Sequence, residues 1–395
     1  MQYQYDLNGN IITERYFAAN QTTAAQEVSY QYDAAGRLIQ VTQNGETNSQ
    51  FIYQRDALGR ITQESISYGR GTQTITQKLQ YNYNTDDQLI SITYPDKTSV
   101  SYHYQKGQLS QVLLANGETI NWSEYQWTQA GKINYPHAVQ TNRYDGLQRP
   151  SQISVSANGQ NIFDHHYSYN KAGNISQIKS KLGEINYQYD TLDHLTQVTP
   201  SSELNRLGLQ TETYSYDAIG NRIGSIGNQW NYNQLGQLSQ WGEEGNQTQL
   251  SYSVNGHIIR ESRLGQEREY HYNSADRLTS ISQNGSEIAS YQYDPFGRRI
   301  SKTVNGKTTY YIYTDEGLIA ELDQNGQMQV AYGWEPDSLY GTSPLWQADI
   351  SAEQTLKTAA YHYIITDHLG TPQLALASSG QIVWQMTSDA FVTSI

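Results

Sequence analysis

The sequence predicts an all-β fold: a single antiparallel ribbon of tandem β-hairpins coiled into a spiral. Three observations carry this expectation. A segment of the form Tyr-x-Tyr-Asp/Asn-x-x-Gly-Arg/Asn-Leu/Ile recurs along nearly the whole chain. Asn-Gly pairs, the strongest short hairpin signal, fall between its copies. The chain carries 34 Tyr against 5 Phe and 7 Trp while only 36% of it is hydrophobic, a balance that suits half-buried surfaces better than a thick dry core.

The copies begin with YQYDLNGNII at Tyr3, YQYDAAGRLI at Tyr30 and YQRDALGRIT at Tyr53. Others start at Tyr81, Tyr102, Tyr167, Tyr187, Tyr214, Trp230, Tyr270, Tyr291 and Tyr311. Four of the intervals between them are 20–21 residues and four more are 23–28. A fixed period of this length is the signature of a repeat architecture.

Each element of the unit has a physical reading. Tyr-x-Tyr has period two, so both rings share one strand face. The pairs Tyr30 and Tyr32, Tyr81 and Tyr83, Tyr187 and Tyr189, and Tyr291 and Tyr293 therefore form an aromatic ladder, expected to pack ring on ring from hairpin to hairpin with wet hydroxyls. Asp-x-x-Gly makes the turn: the carboxylate bonds the backbone two residues on, and Gly supplies φ > 0. Asp33 with Gly36, Asp56 with Gly59, Asp217 with Gly220 and Asp294 with Gly297 are such pairs. Arg-Leu-Ile opens the return strand, which ends in a second turn at Asn44-Gly45, Asn116-Gly117, Asn158-Gly159, Asn284-Gly285, Asn305-Gly306 or Asn325-Gly326.

One period is thus one hairpin. About 16 hairpins give ~32 strands and a ribbon ~150 Å long, which closes into one ring of ~50 Å diameter. The low apolar content argues against two sheets packed face to face. One face is expected to look into a cavity and the other to solvent. The repeats occupy residues 1–330. Residues 331–358, with Trp334, Pro336, Pro344 and Trp346, break the period and read as an insertion or cap.

Composition excludes several functions. There are 38 acidic and 25 basic residues, a net charge of −13 and no basic block, so no nucleic-acid partner is expected. No apolar run approaches the ~18–20 residues of a membrane span. The N-terminus lacks the basic and apolar regions of a cleavable secretory signal. Zero Cys excludes disulfides, zinc-thiolate sites and cysteine nucleophiles.

Candidate chemistry is sparse. His165 and His166 are adjacent in a strand and point to opposite faces, which disfavours a shared metal. Asp367-His368 invites an acid–base reading, but Asp367, Gly370 and Pro372 also fit a turn and its exit, and the turn is the expectation. The repeat aspartates sit singly in their turns, without calcium-ligand spacing. No cofactor and no catalysis are expected. Aromatic ladders can also stack on sugars, so a surface adhesin that binds glycans is the alternative.

The repeat units resemble the YD repeats of the RHS (rearrangement hot spot) family, which includes bacterial polymorphic toxins, Tc toxin B and C components and teneurin shells. YHYIITDHLGTPQLALASSGQIVWQMTSDAF, from Tyr361 to Phe391, resembles the start of the RHS-associated core, so residues 359–395 read as that region, truncated. The resemblance implies part of a hollow shell or barrel that contains or chaperones a toxin. Its partners would be a toxin polypeptide or the remaining RHS core, and its location the cell surface or the outside of the cell through a dedicated bacterial system. The family's self-cleavage motif and toxin are not found in this sequence. The chain is accordingly expected to be a piece of a larger protein or one polypeptide of a split system, with open sheet edges that favour self-association.

Overall fold

A computed structural model describes residues 1–70, 73–225, 227–336 and 344–386 of the chain. The described residues form 35 strands, from Gln2–Tyr5 to Ile382–Gln385, and one short helix, Ser202–Arg206. Every strand pairs antiparallel with its neighbour in sequence, so the sheet is one continuous ribbon. The repeat reading therefore holds, strand by strand.

The turns bear out the predicted conformation. Gly36, Gly59, Gly173, Gly220, Gly236 and Gly297 have φ between 72° and 94°. Where the repeat lacks Gly, the same turn position is still left-handed, at Asp87, Lys97, Gln148, Asp193 and Asp276. Asn44-Gly45, expected as a turn, instead ends strand Leu38–Gly45 and pairs with Glu27 and Gln26, so its turn falls one step later; the other Asn-Gly pairs divide into two kinds. Asn158-Gly159, Asn284-Gly285 and Asn305-Gly306 have both residues at positive φ, as a two-residue hairpin turn requires. Gly117 and Gly326 instead close four-residue turns, bonding the carbonyls of Leu114 and Asp323.

The expectation of one unlayered ribbon is corrected. Residues 26–169 and 299–377 lie face to face, with a dry seam between them. Val41, Phe51, Leu79, Val100 and Ile120 of the first layer are buried there, with Ile312, Leu322, Trp346, Tyr363 and Leu376 of the second. Ring pairs cross the seam at Phe51–Phe296 (5.3 Å), Tyr68–Tyr310 (6.3 Å) and Tyr94–Trp346 (5.9 Å).

The order of these contacts defines the path. Tyr68 Oη donates to the Tyr311 carbonyl, Tyr94 Oη to the Tyr332 carbonyl, and Asn158 Nδ2 to the Ser379 carbonyl. The two partners advance together, separated by 243, 238 and 221 residues. A sheet doubled back on itself would reverse that order. The ribbon instead rolls through one turn and overlaps its own beginning. From the strand of Tyr68 to that of Tyr311 the chain passes through roughly 23 strands, a circumference of ~110 Å and a diameter of ~35 Å.

A chain 36% hydrophobic builds a dry seam because only part of it needs one. In strand Gln73–Tyr83, Ile75, Leu79 and Tyr81 on the tyrosine face are buried, and Thr76, Lys78, Gln80 and Asn82 are exposed. The second layer is apolar on both faces: in strand Lys307–Tyr313, Tyr310 and Ile312 enter the seam and Tyr311 is buried on the opposite side. Residues 175–293 form an arc that a second layer meets only at its ends among the described residues: Ile178 and Tyr187 share a cavity with Asp367 and His368, and Ser274 bonds Glu46 Oε2 at 3.0 Å. There Tyr187 and Tyr189 are half-buried, Asn186 and Gln188 are exposed, and the far face carries ion pairs such as Arg260 with Glu267 (2.6 Å).

The described parts of residues 331–358 belong to the ribbon more than an insertion or cap would. Met328–Trp334 and Pro344–Asp349 pair as consecutive strands, and the connection after Asp349 leaves the sheet. That connection docks on the first layer, where the Leu356 N–H donates to Asp96 Oδ2 (2.8 Å) and Leu356 is fully buried. Residues 337–343 and 387–395, which fall within the two C-terminal segments expected from sequence, lie outside the described residues.

Gly36 isolates the cost of the turn conformation. Its φ is +76° and an added Cβ would meet nothing within 4 Å, so any penalty is backbone strain. Gly36→Val is expected to lower unfolding free energy by more than ~1 kcal/mol, and Gly36→Asp by less than half as much, because Asp tolerates this region. Denaturant titration of both variants checks the ratio.

Candidate functional site

The repeated turn is the local unit of the molecule. Asp56 Oδ1 accepts the N–H groups of Leu58 and Arg60, both at 3.0 Å, and its Oδ2 accepts Arg60 Nε at 2.7 Å. Asp33 holds Ala35 and Arg37 in the same way, Asp145 holds Leu147 and Arg149, and Asp294 holds Phe296 and Arg298. In the Asp217 turn, Asn221 supplies the side-chain donor. The carboxylate therefore fixes both the turn and the direction of the following side chain.

That side chain reaches the next repeat. The Arg60 guanidinium lies 4.9 Å from the Tyr83 ring centroid and Arg149 4.1 Å from that of Tyr169. His194 stacks on Tyr216 at 4.8 Å and His257 on Tyr272 at 4.7 Å. These planar side chains are interleaved with rings of successive repeats, which corrects the expectation that ladder rings touch one another directly. A flat, delocalised cation suits an aromatic face, and its methylene stem covers the remaining apolar surface.

Many of the second hydroxyls of the pairs are not wet, as expected, but bonded, as at Tyr32 and Tyr189. The turn after a Tyr-x-Tyr pair is followed by a β-bulge: Tyr32 pairs with Leu38 but Gln31 with Gln40, which leaves Ile39 extra. The carbonyl at the bulge receives a donor from the following repeat. Tyr32, Tyr104, Tyr125, Tyr169, Tyr189, Tyr216, Tyr232, Tyr252, Tyr272 and Tyr313 donate to bulge carbonyls at 2.6–2.9 Å. Arg55 and Trp334 serve the carbonyls of Leu38 and Leu318 where the second Tyr is replaced. Sequence reasoning placed the paired tyrosines on one face correctly. It missed the acceptor, because a bulge is visible only once strand register is known. A sugar would compete for hydroxyls already committed to the backbone.

The same turn behaves differently inside the seam. At Asp33, the bond from the Arg37 N–H and then the Arg37 side chain hold the carboxyl below its ordinary range. The Asp294 side chain is fully excluded from solvent, and burial raises its carboxyl despite Arg298 at 2.7 Å. Beside it, Glu64 is 6% exposed, and burial above all pushes its carboxyl up to about 7, with Arg298 opposing and Asp315 reinforcing. Tyr81 Oη donates to Glu64 at 3.3 Å. Glu64 was not singled out from sequence, though the signal existed: Glu64-x-Ile66-x-Tyr68 sets a carboxyl in a row facing the core.

The Thr366–Pro372 motif is a turn of the common kind. Asp367 Oδ1 accepts the N–H groups of Leu369 and Thr371, and Oδ2 accepts Gln373 Nε2. Gly370 has φ 79°, and Pro372 begins the return strand opposite Thr366 at the bulge. Both carboxylate oxygens are thus engaged in turn construction. His368 packs on Tyr167 at 4.9 Å, and burial holds its imidazole below the usual value. His165 stacks against Phe163, its pKa lowered to about 4 by burial, while His166 lies on the other face near Asp164. Among the described residues no group of three His, Asp or Glu side chains is placed to hold a metal ion.

Two predictions follow from these bonds. Tyr169→Phe removes only the hydroxyl that serves the Pro150 carbonyl, and is expected to cost about 1 kcal/mol, read by denaturant titration. Glu64→Gln tests the seam. The folded pKa of Glu64 lies above its ordinary value of 4.5, so its contribution is fully present below pH 4.5 and is lost as pH rises through about 7. At pH 8 the Gln variant should be more stable than the parent by roughly 1–3 kcal/mol, and the gap should vanish near pH 5. Thermal melts across that range measure it.

Comparison with known proteins agrees with this architecture. The teneurin YD-shell family matches residues 132–391, and the RHS repeat family matches residues 5–47 and 32–73. The chain is 22% identical to double-stranded DNA deaminase toxin A of Burkholderia cenocepacia over 92% of its length and 27% of that protein. It is 24% identical to the probable deoxyribonuclease RhsB of Dickeya dadantii, over 92% of its length and 24% of that protein. It therefore spans about a quarter of the length of these curated relatives. Its fold matches the Tc holotoxin pore of Photorhabdus luminescens with a TM-score of 0.65 at 14% identity, over 99% of this chain and 24% of that one. Repeat, bulge, ladder and family match converge, and the chain belongs to the teneurin YD-shell family, built from RHS repeats.

Proposed function

We propose that this chain is a stretch of shell wall that contains or chaperones a toxin polypeptide for delivery to another cell. The observation that carries the reading is the rolled ribbon itself. It closes one turn by overlapping its own start and leaves the tyrosine face of residues 175–293 uncovered except at the ends of that stretch, which suits the face as lumen lining. A turn ~35 Å wide, made of strands about 20 Å long, is too small to enclose a folded domain, so the segment works with further shell or with an unfolded cargo.

The segment is non-catalytic in this reading. The carboxylates that invited chemistry are spent on turns, and the relatives named as a deaminase and a deoxyribonuclease extend well beyond the stretch matched here. The partner is the toxin or the rest of the shell, and the location is outside the producing cell. Among the described residues no helix is long and apolar enough to cross a membrane.

The test is co-expression with the polypeptide encoded beside this segment, followed by limited proteolysis. The expected outcome is a complex that purifies intact and in which the neighbouring polypeptide resists cleavage until the shell is denatured. Separate elution with full protease sensitivity would sink the containment reading.

A further inference from the structure

The two layers separate around a cavity of about 300 Å³, beside a further one of about 380 Å³ lined by His165, Tyr167, Asp367 and His368. The smaller lies between the tyrosine face of the first layer near strand Ala138–Tyr144 and the second layer near Glu335 and Thr366. Trp122, Tyr135 and Tyr144 supply aromatic walls, and Glu335 and Gln129 supply polar ones.

Gln140 and Asn142, which also line it, bond each other at 2.9 Å, but two polar groups are unmatched. Gln129 Oε1 is buried without a hydrogen-bond partner. Burial shifts the Glu335 carboxyl upward, and among the described residues it has no hydrogen bond or ion pair. Its charge is felt by Tyr125, Tyr135 and Tyr144, which places it among the rings. Among the described residues no Lys or Arg lines the cavity. The other titratable groups there are Asp367, engaged in its turn, and His368, whose imidazole burial keeps in the neutral form at pH 7.

Two acceptors without donors, three aromatic faces and no resident cation define a complement: a compact, donor-rich organic cation. An ammonium carries three N–H donors and no acceptor, and its charge is attracted by aromatic faces. We propose that this cavity binds a primary alkylammonium group, either the end of a lysine side chain or a free small amine. The proposal does not depend on the shell reading. Because a buried carboxyl without a cation favours its protonated form, binding displaces a proton from Glu335, and affinity rises with pH until that group is ionised.

Isothermal titration of the full chain tests this with n-butylammonium chloride and with a hexapeptide containing one lysine. The expected result is saturable 1:1 binding of at least one probe, with proton release seen as a dependence of heat on buffer ionisation enthalpy. Binding of butylammonium assigns a free amine; binding of the peptide alone assigns a lysine side chain. Glu335→Gln is close to isosteric and should melt no lower than the parent while binding ~10-fold or more weakly. Gln129→Met, which removes the second acceptor, provides an independent loss. The proposal is overturned if neither probe binds in the millimolar range, if Glu335→Gln binds as tightly as the parent, or if n-butanol binds as well as butylammonium.

Discussion

The bond from a tyrosine hydroxyl to the bulge carbonyl of the preceding hairpin organises this protein. A bulge lets each strand pair leave its turn with the following side chain aimed along the ribbon, but it also withdraws a carbonyl from the strand ladder. Left unpaired in a half-buried position, that group costs about 1–3 kcal/mol. The next repeat supplies the donor, so no hairpin is complete without its successor, and the stability of the array is a nearest-neighbour property. The requirement is for a donor at the right reach rather than for tyrosine as such, as Arg55 and Trp334 show. It also explains why the aromatic excess is of tyrosine and not phenylalanine: a benzyl ring would fill the space and leave the carbonyl bare.

The seam applies a different constraint to the same parts. On an open turn, the Asp33 carboxylate is stabilised by its backbone and arginine donors. Carried into the seam, the equivalent Asp294 keeps those donors and loses water, and burial outweighs them. Tolerance of such a pair between layers follows from the repeat, which produces a charged turn at every period whether or not another layer covers it. Glu64 compounds the effect by bringing a second carboxyl to the same place.

The fold was legible in sequence to the extent that it is local. Tyr30 and Tyr32 announce a strand face, and Asp33 with Gly36 announces a turn, because each depends on residues within a few positions. The register of the bulge was not legible, although Ile39 sits in plain view, since an extra residue acquires meaning only opposite a partner strand. The seam was less legible still. Phe51 meets Phe296 across almost a full turn of ribbon, and neither residue carries a mark that distinguishes it from the solvent-side positions of other repeats. Apolar content averaged over the chain argued against layering because it mixed a seam that is dry with an arc that is not. His368 was read as part of a turn, which it is; its buried ring against Tyr167 comes from the overlap.

The overlap gives the uncovered arc an importance its own contacts do not show. In an open solenoid a repeat can be gained or lost at little cost beyond its own interfaces. Here residues 175–293 determine how far the ribbon has travelled when it meets its beginning. One hairpin more or fewer would lengthen or shorten the path by ~10 Å. Phe296 would then arrive beside a residue other than Phe51, and every later pair would be displaced in step. The arc works as a gear of fixed tooth count: most of its side chains can drift, but its number of hairpins is locked to the phase of a seam it meets only at its ends.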